Sequence, residues 1–131
     1  MNINELEKSA NRPGQYIAFS VVPVRTKEGA AFVYFAVDDF SEFAFHLGAE
    51  KKDDEATLIA CVERLMNNPD FIRHRGKGFT LIFDKYRELS RQISCVIVPY
   101  GGTIMFDDYL NHKISLPVLQ SMADFFSGKK R

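Results

Sequence analysis

The stretch that decides the fold is Ala31-Phe32-Val33-Tyr34-Phe35-Ala36-Val37-Asp38-Asp39-Phe40-Ser41-Glu42-Phe43-Ala44-Phe45-His46-Leu47-Gly48. Its first seven residues are apolar on both alternating faces, as a central strand covered on both sides requires. Asp38-Asp39-Phe40-Ser41 then turns the chain. Residues 42–48 alternate, with Phe43, Phe45 and Leu47 on one face and Ala44 and His46 on the other. This is an apolar hairpin around residues 32–47. Upstream, residues 16–24 form another strand rich in Ile, Val and Phe and broken by Pro23, and Lys27-Glu28-Gly29 turns it into the hairpin. The three together read as a meander. Residues 1–14 are a polar lead-in ending in the turn cluster Asn11-Arg12-Pro13-Gly14, and residues 15–131 read as one domain.

Downstream, Lys51-Lys52-Asp53-Asp54-Glu55 is a charge cluster that also opens a helix. Asp53 or Asp54 can cap it, and an acidic first turn suits the helix dipole. Leu58, Val62, Leu65 and Met66 recur at i, i+4, i+7 and i+8, until Asn67-Asn68-Pro69 stops the pattern. A basic, glycine-containing loop, Arg73-His74-Arg75-Gly76-Lys77-Gly78, leads into a short strand over residues 79–83 that ends on Asp84. Tyr86, Leu89 and Ile93 give a shorter helical stripe, and residues 95–98 read as a further buried strand. Tyr100-Gly101-Gly102-Thr103 reads as a tight hairpin turn, because paired glycines adopt positive φ without a Cβ clash. Ile104-Met105-Phe106 is then its return strand, or the start of a helix. Ser115 as a cap, Pro117 in the first turn and a stripe of Val118, Met122, Phe125 and Phe126 predict a final helix. The expected order is β-β-β-α-β-α-β, an open segment, then α: an α/β domain with a mixed sheet of about five strands flanked by helices.

The totals fit one globular domain with a single core: 131 residues, 46% hydrophobic and 26% charged. Twelve Phe and no Trp point to a core packed on phenyl rings. Seventeen basic residues balance seventeen acidic ones, so any contact with a polyanion must come from a local patch. Cys61 and Cys95 both sit in apolar runs, read as reduced core residues, and cannot complete a zinc site by themselves. Reduced thiols, no apolar leader in residues 1–8 and no membrane-length apolar run predict a soluble, cytoplasmic protein.

In this order of elements the sequence resembles the catalytic core of retroviral-type integrases and transposases, which has the ribonuclease H-like fold. Phe35-Ala36-Val37-Asp38-Asp39-Phe40-Ser41 is similar to that core's second strand and turn. Ile82-Phe83-Asp84-Lys85-Tyr86-Arg87-Glu88-Leu89 resembles its strand-ending aspartate motif, and Val98-Pro99-Tyr100 the Pro-Tyr before its last acidic residue. The likeness spans roughly residues 16–112. It implies three carboxylates holding two divalent metals, Mg²⁺ or Mn²⁺, about 3.5–4 Å apart for in-line phosphoryl transfer. The first belongs inside the first strand, where Ala18-Phe19-Ser20-Val21-Val22-Pro23-Val24 holds no acid. The second maps onto Asp84. The third, a helical Glu, falls near Tyr109, with Asp107 and Asp108 beside it. The Asn-Gly that usually follows the second acid is Lys85-Tyr86 here. The resemblance therefore implies a degenerate, non-catalytic core of mobile-element origin. The chain has no room for the zinc-binding and C-terminal DNA-binding modules that usually accompany such cores.

The candidate catalytic residues are Asp84, Asp107 and Asp108. Asp84 ends a buried strand, the place for an active-site acid in an α/β fold; its plainer reading is a cap for the following helix. Asp107 and Asp108 read more simply as a solvated pair at an element boundary. Asp38 and Asp39 read as hairpin-turn residues before metal ligands. Arg73, Arg75 and Lys77, on a glycine loop, can follow a phosphate backbone and are the candidate nucleic-acid contacts. Their alternative is a solvated connector, and the basic tail Lys129-Lys130-Arg131 adds little to either. His46, His74 and His112 lack metal-ligand spacing. The expected function is binding, of nucleic acid or of a protein partner, this chain's own copy included. The rival readings are a protein-interaction module with no nucleic-acid role, and an active metal-dependent nuclease using Asp84 with Asp107 or Asp108.

Overall fold

A computed structural model describes residues 10–126, with side chains to Met122. Five strands form one mixed sheet in the order β3-β2-β1-β4-β5. Strands β1 (Tyr16–Thr26), β2 (Gly29–Asp38) and β3 (Ala44–Glu50) make the antiparallel meander, and β4 (Phe79–Phe83) and β5 (Gly102–Phe106) add on the other side of β1, parallel to it. Helices α1 (Glu55–Met66), α2 (Pro69–Arg75) and α3 (Ser90–Ile97) belong to one face, and α4 (Asp108–Phe126) covers the other. The ribonuclease H-like α/β architecture read from the sequence is the one observed.

Alternation sorts the strands into two cores. Ile17, Phe19, Tyr34, Ala36, Phe45 and Leu47 face α1 to α3, while Ala18, Val33, Phe35, Val37 and Ile82 face α4. The first core leans on rings as its composition foretold: Phe19 stacks on Phe83 at 5.0 Å, and Phe71 meets Phe45 and Phe79 edge-on. Leu58, Val62, Leu65 and Met66 are buried as their spacing required, and Asp54 is the cap of α1, accepting from Thr57 N at 2.9 Å.

Several expectations are corrected. Strand β1 runs through Pro23, which pairs with Phe32. Residues 95–98 are not a strand: Leu89, Ile93 and Ile97 recur every fourth residue, and burying that stripe outweighs the β-branching of Val96, Ile97 and Val98. Cys95, on the opposite side of α3, is exposed rather than buried. Gly101 takes φ +89 to end a 3₁₀ turn over Val98–Tyr100, and the chain enters β5 parallel to β4 instead of making a hairpin. The final helix begins at Asp108, so Pro117 lies inside it; Ser115, far from capping, donates back to Asn111 O at 2.8 Å. Phe125 and Phe126 lie in α4, with side chains beyond the described ones, and the basic tail lies outside the described residues.

Candidate functional site

The elements expected to carry three acids do converge. Strands β1 and β4 pair in parallel with Ala18 beside Ile82, and two residues further that register sets Ser20 opposite Asp84. Helix α4 starts beside them. Asp107 N donates to Phe83 O at 3.0 Å, and Asp107 Oδ1 caps the helix by accepting from Leu110 N at 2.9 Å. One turn in, Asn111 points back at the sheet. Its Nδ2 donates to Phe19 O at 2.9 Å and to Ile82 O at 2.7 Å, and its Oδ1 accepts from Ser20 Oγ at 3.4 Å. Asn111 and Ser20 are both buried. The meeting point of β1, β4 and α4 is therefore a neutral clamp of amide, hydroxyl and two main-chain carbonyls.

This donor set does not fit a two-metal centre. The Asn111 amide hydrogens are aimed at the carbonyl oxygens a cation would seek, and no carboxylate stands on β1. Asp84 is exposed at the end of β4 and caps no helix; the turn after it is governed by Tyr86, at φ +76. That left-handed residue sits where the resemblance expects glycine, and its hydroxyl holds it by donating to Asp53 Oδ1 at 2.7 Å. Tyr34 OH reaches Lys52 O at 2.9 Å and the same Asp53 oxygen at 3.4 Å. Burial, reinforced by Asp53, pushes both phenols above their ordinary range. Asp107 is a cap, and Asp108 an exposed first-turn acid. Among the described residues no group of three His, Cys, Asp or Glu is placed to hold a metal ion. Asp38 is fully buried as a turn residue: its carboxylate accepts from Gly14 N, Phe40 N and Ser41 Oγ.

The basic residues lie elsewhere. Arg73 and Arg75 are not on a glycine loop but in the last turn of α2, which Asn68 caps and Pro69 opens. Arg73 is paired with Asp70. Arg75 donates to Tyr100 O at 2.8 Å and lies over the Tyr100 ring. Arg12, from the lead-in, donates to Gly78 O at 2.6 Å, closing a seam around Gly76–Gly78. Lys77 is exposed, and among the described residues neither it nor Arg75 makes an ion pair. This cluster stands at the start of β4, whereas Asp84 and Asp107 stand at its finish, about 15 Å away along five residues of strand. The structure does not bring the candidate acids and the candidate cations together.

With the geometry in place, the comparisons with solved structures are decisive about the fold. One match is to a chain in the cryo-EM structure of the simian T-cell lymphotropic virus intasome in complex with the PP2A regulatory subunit B56 gamma, with TM-score 0.61, 9% identity and 92% of this chain covered. Another is to the HTLV-2 integrase catalytic core domain in complex with magnesium in its dimeric form, with TM-score 0.59, 13% identity and 91% covered. The fold is that of a retroviral integrase catalytic core. The chain spans 45% of the simian virus chain and 79% of the HTLV-2 chain. No protein-family model matches the sequence, and no curated protein does. Sequence reasoning passed over Ser20 and Asn111. The signal for Asn111 was the run Leu110, Ile114 and Val118, which places Asn111 and Ser115 on the edge of a buried helical face once the helix is started at Asp108.

Proposed function

We propose that this chain is a non-catalytic domain on the integrase-core fold whose role is binding, with a protein as its partner. One observation carries the reading: the Asn111 amide, spent on Phe19 O and Ile82 O, fills the junction where metal-bridging carboxylates would have to stand beside Asp84. Asp84 has only the helix-capping Asp107 near it at this end of β4, and among the described residues no third carboxylate joins them to clamp two cations. A protein partner is favoured over nucleic acid because Arg73 and Arg75 are already engaged inside the domain. The exposed Phe40, Phe43 and Tyr109 offer apolar anchors of the kind protein interfaces use. The simian virus intasome of the comparison is itself seen with a protein bound. The proposed setting is the cytoplasm, where Cys61 and Cys95 stay as thiols, and descent from a mobile element accounts for the fold.

Calorimetric titration with Mg²⁺ or Mn²⁺ tests the silence of the site. No saturable heat is expected at millimolar metal. A binding isotherm that Asp84→Asn abolishes would overturn the reading and restore the nuclease. A gel-shift series with duplex and single-stranded DNA tests the partner class: no mobility change is expected even at low salt, and a shift lost on Lys77→Ala would move the assignment to nucleic acid.

A further inference from the structure

Strand β3 is an outer strand of the sheet, so alternate N–H and C=O groups along Ala44–Glu50 face no neighbouring strand. From Phe43 to Ala49 it carries no Lys, Arg, Asp or Glu, the side chains that commonly blunt an edge. Its two faces differ. On the α4 side, Ala44, His46 and Ala49 join Val33, Val118 and Met122 around an apolar trough of about 280 Å³. Helix α4 packs chiefly on β1, and among its described side chains Val118 and Met122 are the ones that line this shelf of β3. On the α1 side stands Arg64, half exposed. Its Nη1 donates to Leu47 O at 2.8 Å and pairs with Glu50 Oε2 at 2.9 Å. Among the described residues its Nη2 and Nε make no hydrogen bond.

We propose that β3 is a docking edge for an extended segment of another protein in which apolar residues alternate with an acidic one. A strand added to β3 makes its main-chain bonds to the outward groups and sends successive side chains to opposite faces. Apolar residues two apart then enter the trough. The residue between them faces Arg64, whose spare Nη2 and Nε form the fork that a carboxylate fits. Charge complementarity therefore selects an acid there and rejects a base. The opposite edge, β5, is only five residues long, with α3 packed against it. This assignment rests on the reading of the chain as a binding domain. Metal silence is measured separately, so a failure here removes the docking edge and leaves that silence standing.

The test uses the full chain, isotopically labelled, titrated with a blocked peptide Ser-Val-Glu-Val-Thr-Ser and its Val-Lys-Val counterpart while backbone amide shifts are followed. Shifts are expected along Ala44–Glu50 and not along Gly102–Phe106. The lysine peptide should bind about threefold more weakly, the scale of one exposed ion pair. Arg64→Gln should remove that difference. Ala49→Arg should fill the trough and remove the shifts, with the remaining spectrum reporting that the domain is folded. Absence of shifts at millimolar peptide, shifts confined to other strands, or equal response to both peptides would overturn the proposal. So would an Ala49→Arg-sensitive dimer in sedimentation without peptide, which would give the edge to a second copy.

Discussion

Asn111 concentrates the difference between this chain and a metal-dependent core. Replacing it with Ala removes its two bonds to the buried Phe19 and Ile82 carbonyls, so Asn111→Ala should cost about 1–3 kcal/mol in a urea melt. Asn111→Asp is nearly isosteric but puts a carboxylate against those two oxygens. Burial and repulsion would raise its folded pKa above the unfolded value of about 3.9. Its stability is therefore fullest at acid pH and is lost as pH rises through the raised value. Melts of this variant should show a smaller deficit at about pH 4 than at about pH 7. Cys61 and Cys95 diverge in the same way that sequence could not see. Burial pushes the Cys61 thiol up to about 11, whereas Cys95 faces solvent. A disulfide reagent should titrate one thiol per native chain, Cys95, and both in denaturant; rapid native modification of Cys61 would contradict its burial. Apolar neighbours surround each cysteine in the sequence, and only the phase of the helix separates them.

Helix boundaries decided what each candidate residue does. Asn67-Asn68-Pro69 was legible as the stop of α1 but is equally a start, since Asn68 Oδ1 accepts from Asp70 N and Phe71 N. That second helix turned an apparent phosphate loop into a seam. Gly14 packs so closely there that a Cβ would lie 2.1 Å from His74 O. Gly14→Ala should destabilise by at least about 2 kcal/mol, since the positive φ and the backbone contact both resist it. Arg73→Ala, losing only an exposed pair, should fall within about 0.5 kcal/mol of the parent. Equal losses in the two would show that the seam is not what positions the loop. At the other end of β4 the same contrast separates a cap from a site. Asp107→Ala should cost about 1 kcal/mol through the lost bond to Leu110 N, while Asp84→Ala should leave the melt unchanged.

For the molecule as a whole, the meander and the α1 stripe were readable because period-2 and period-3.6 patterns are set by burial alone. The stretch from Tyr100 to Lys113 was not, because Gly101-Gly102 serves a hairpin or a parallel crossover with the same residues, and distant β4 makes the choice. Pro99-Tyr100 misled for the same reason, as β5 intervenes between it and α4. A consequence at this scale is alkaline lability. Cys61, Tyr34 and Tyr86 are all raised, in each case first by burial, and the two phenols also by Asp53. Each must therefore bind its proton more tightly folded than unfolded, where the thiol titrates near 9.0 and the phenols near 10.0. Below those values every group is protonated in both states and contributes its full stability. As pH rises past about 9 the unfolded chain ionises first, and stability falls with each further step. Urea midpoints should be level from about pH 6 to 8.5 and then decline. Tyr86→Phe keeps the ring against Phe83 but removes one of the three groups, so it should begin less stable and lose less on the way to about pH 11. A decline as steep in that variant as in the parent would place the alkaline weakness outside the Tyr34–Tyr86–Asp53 cluster.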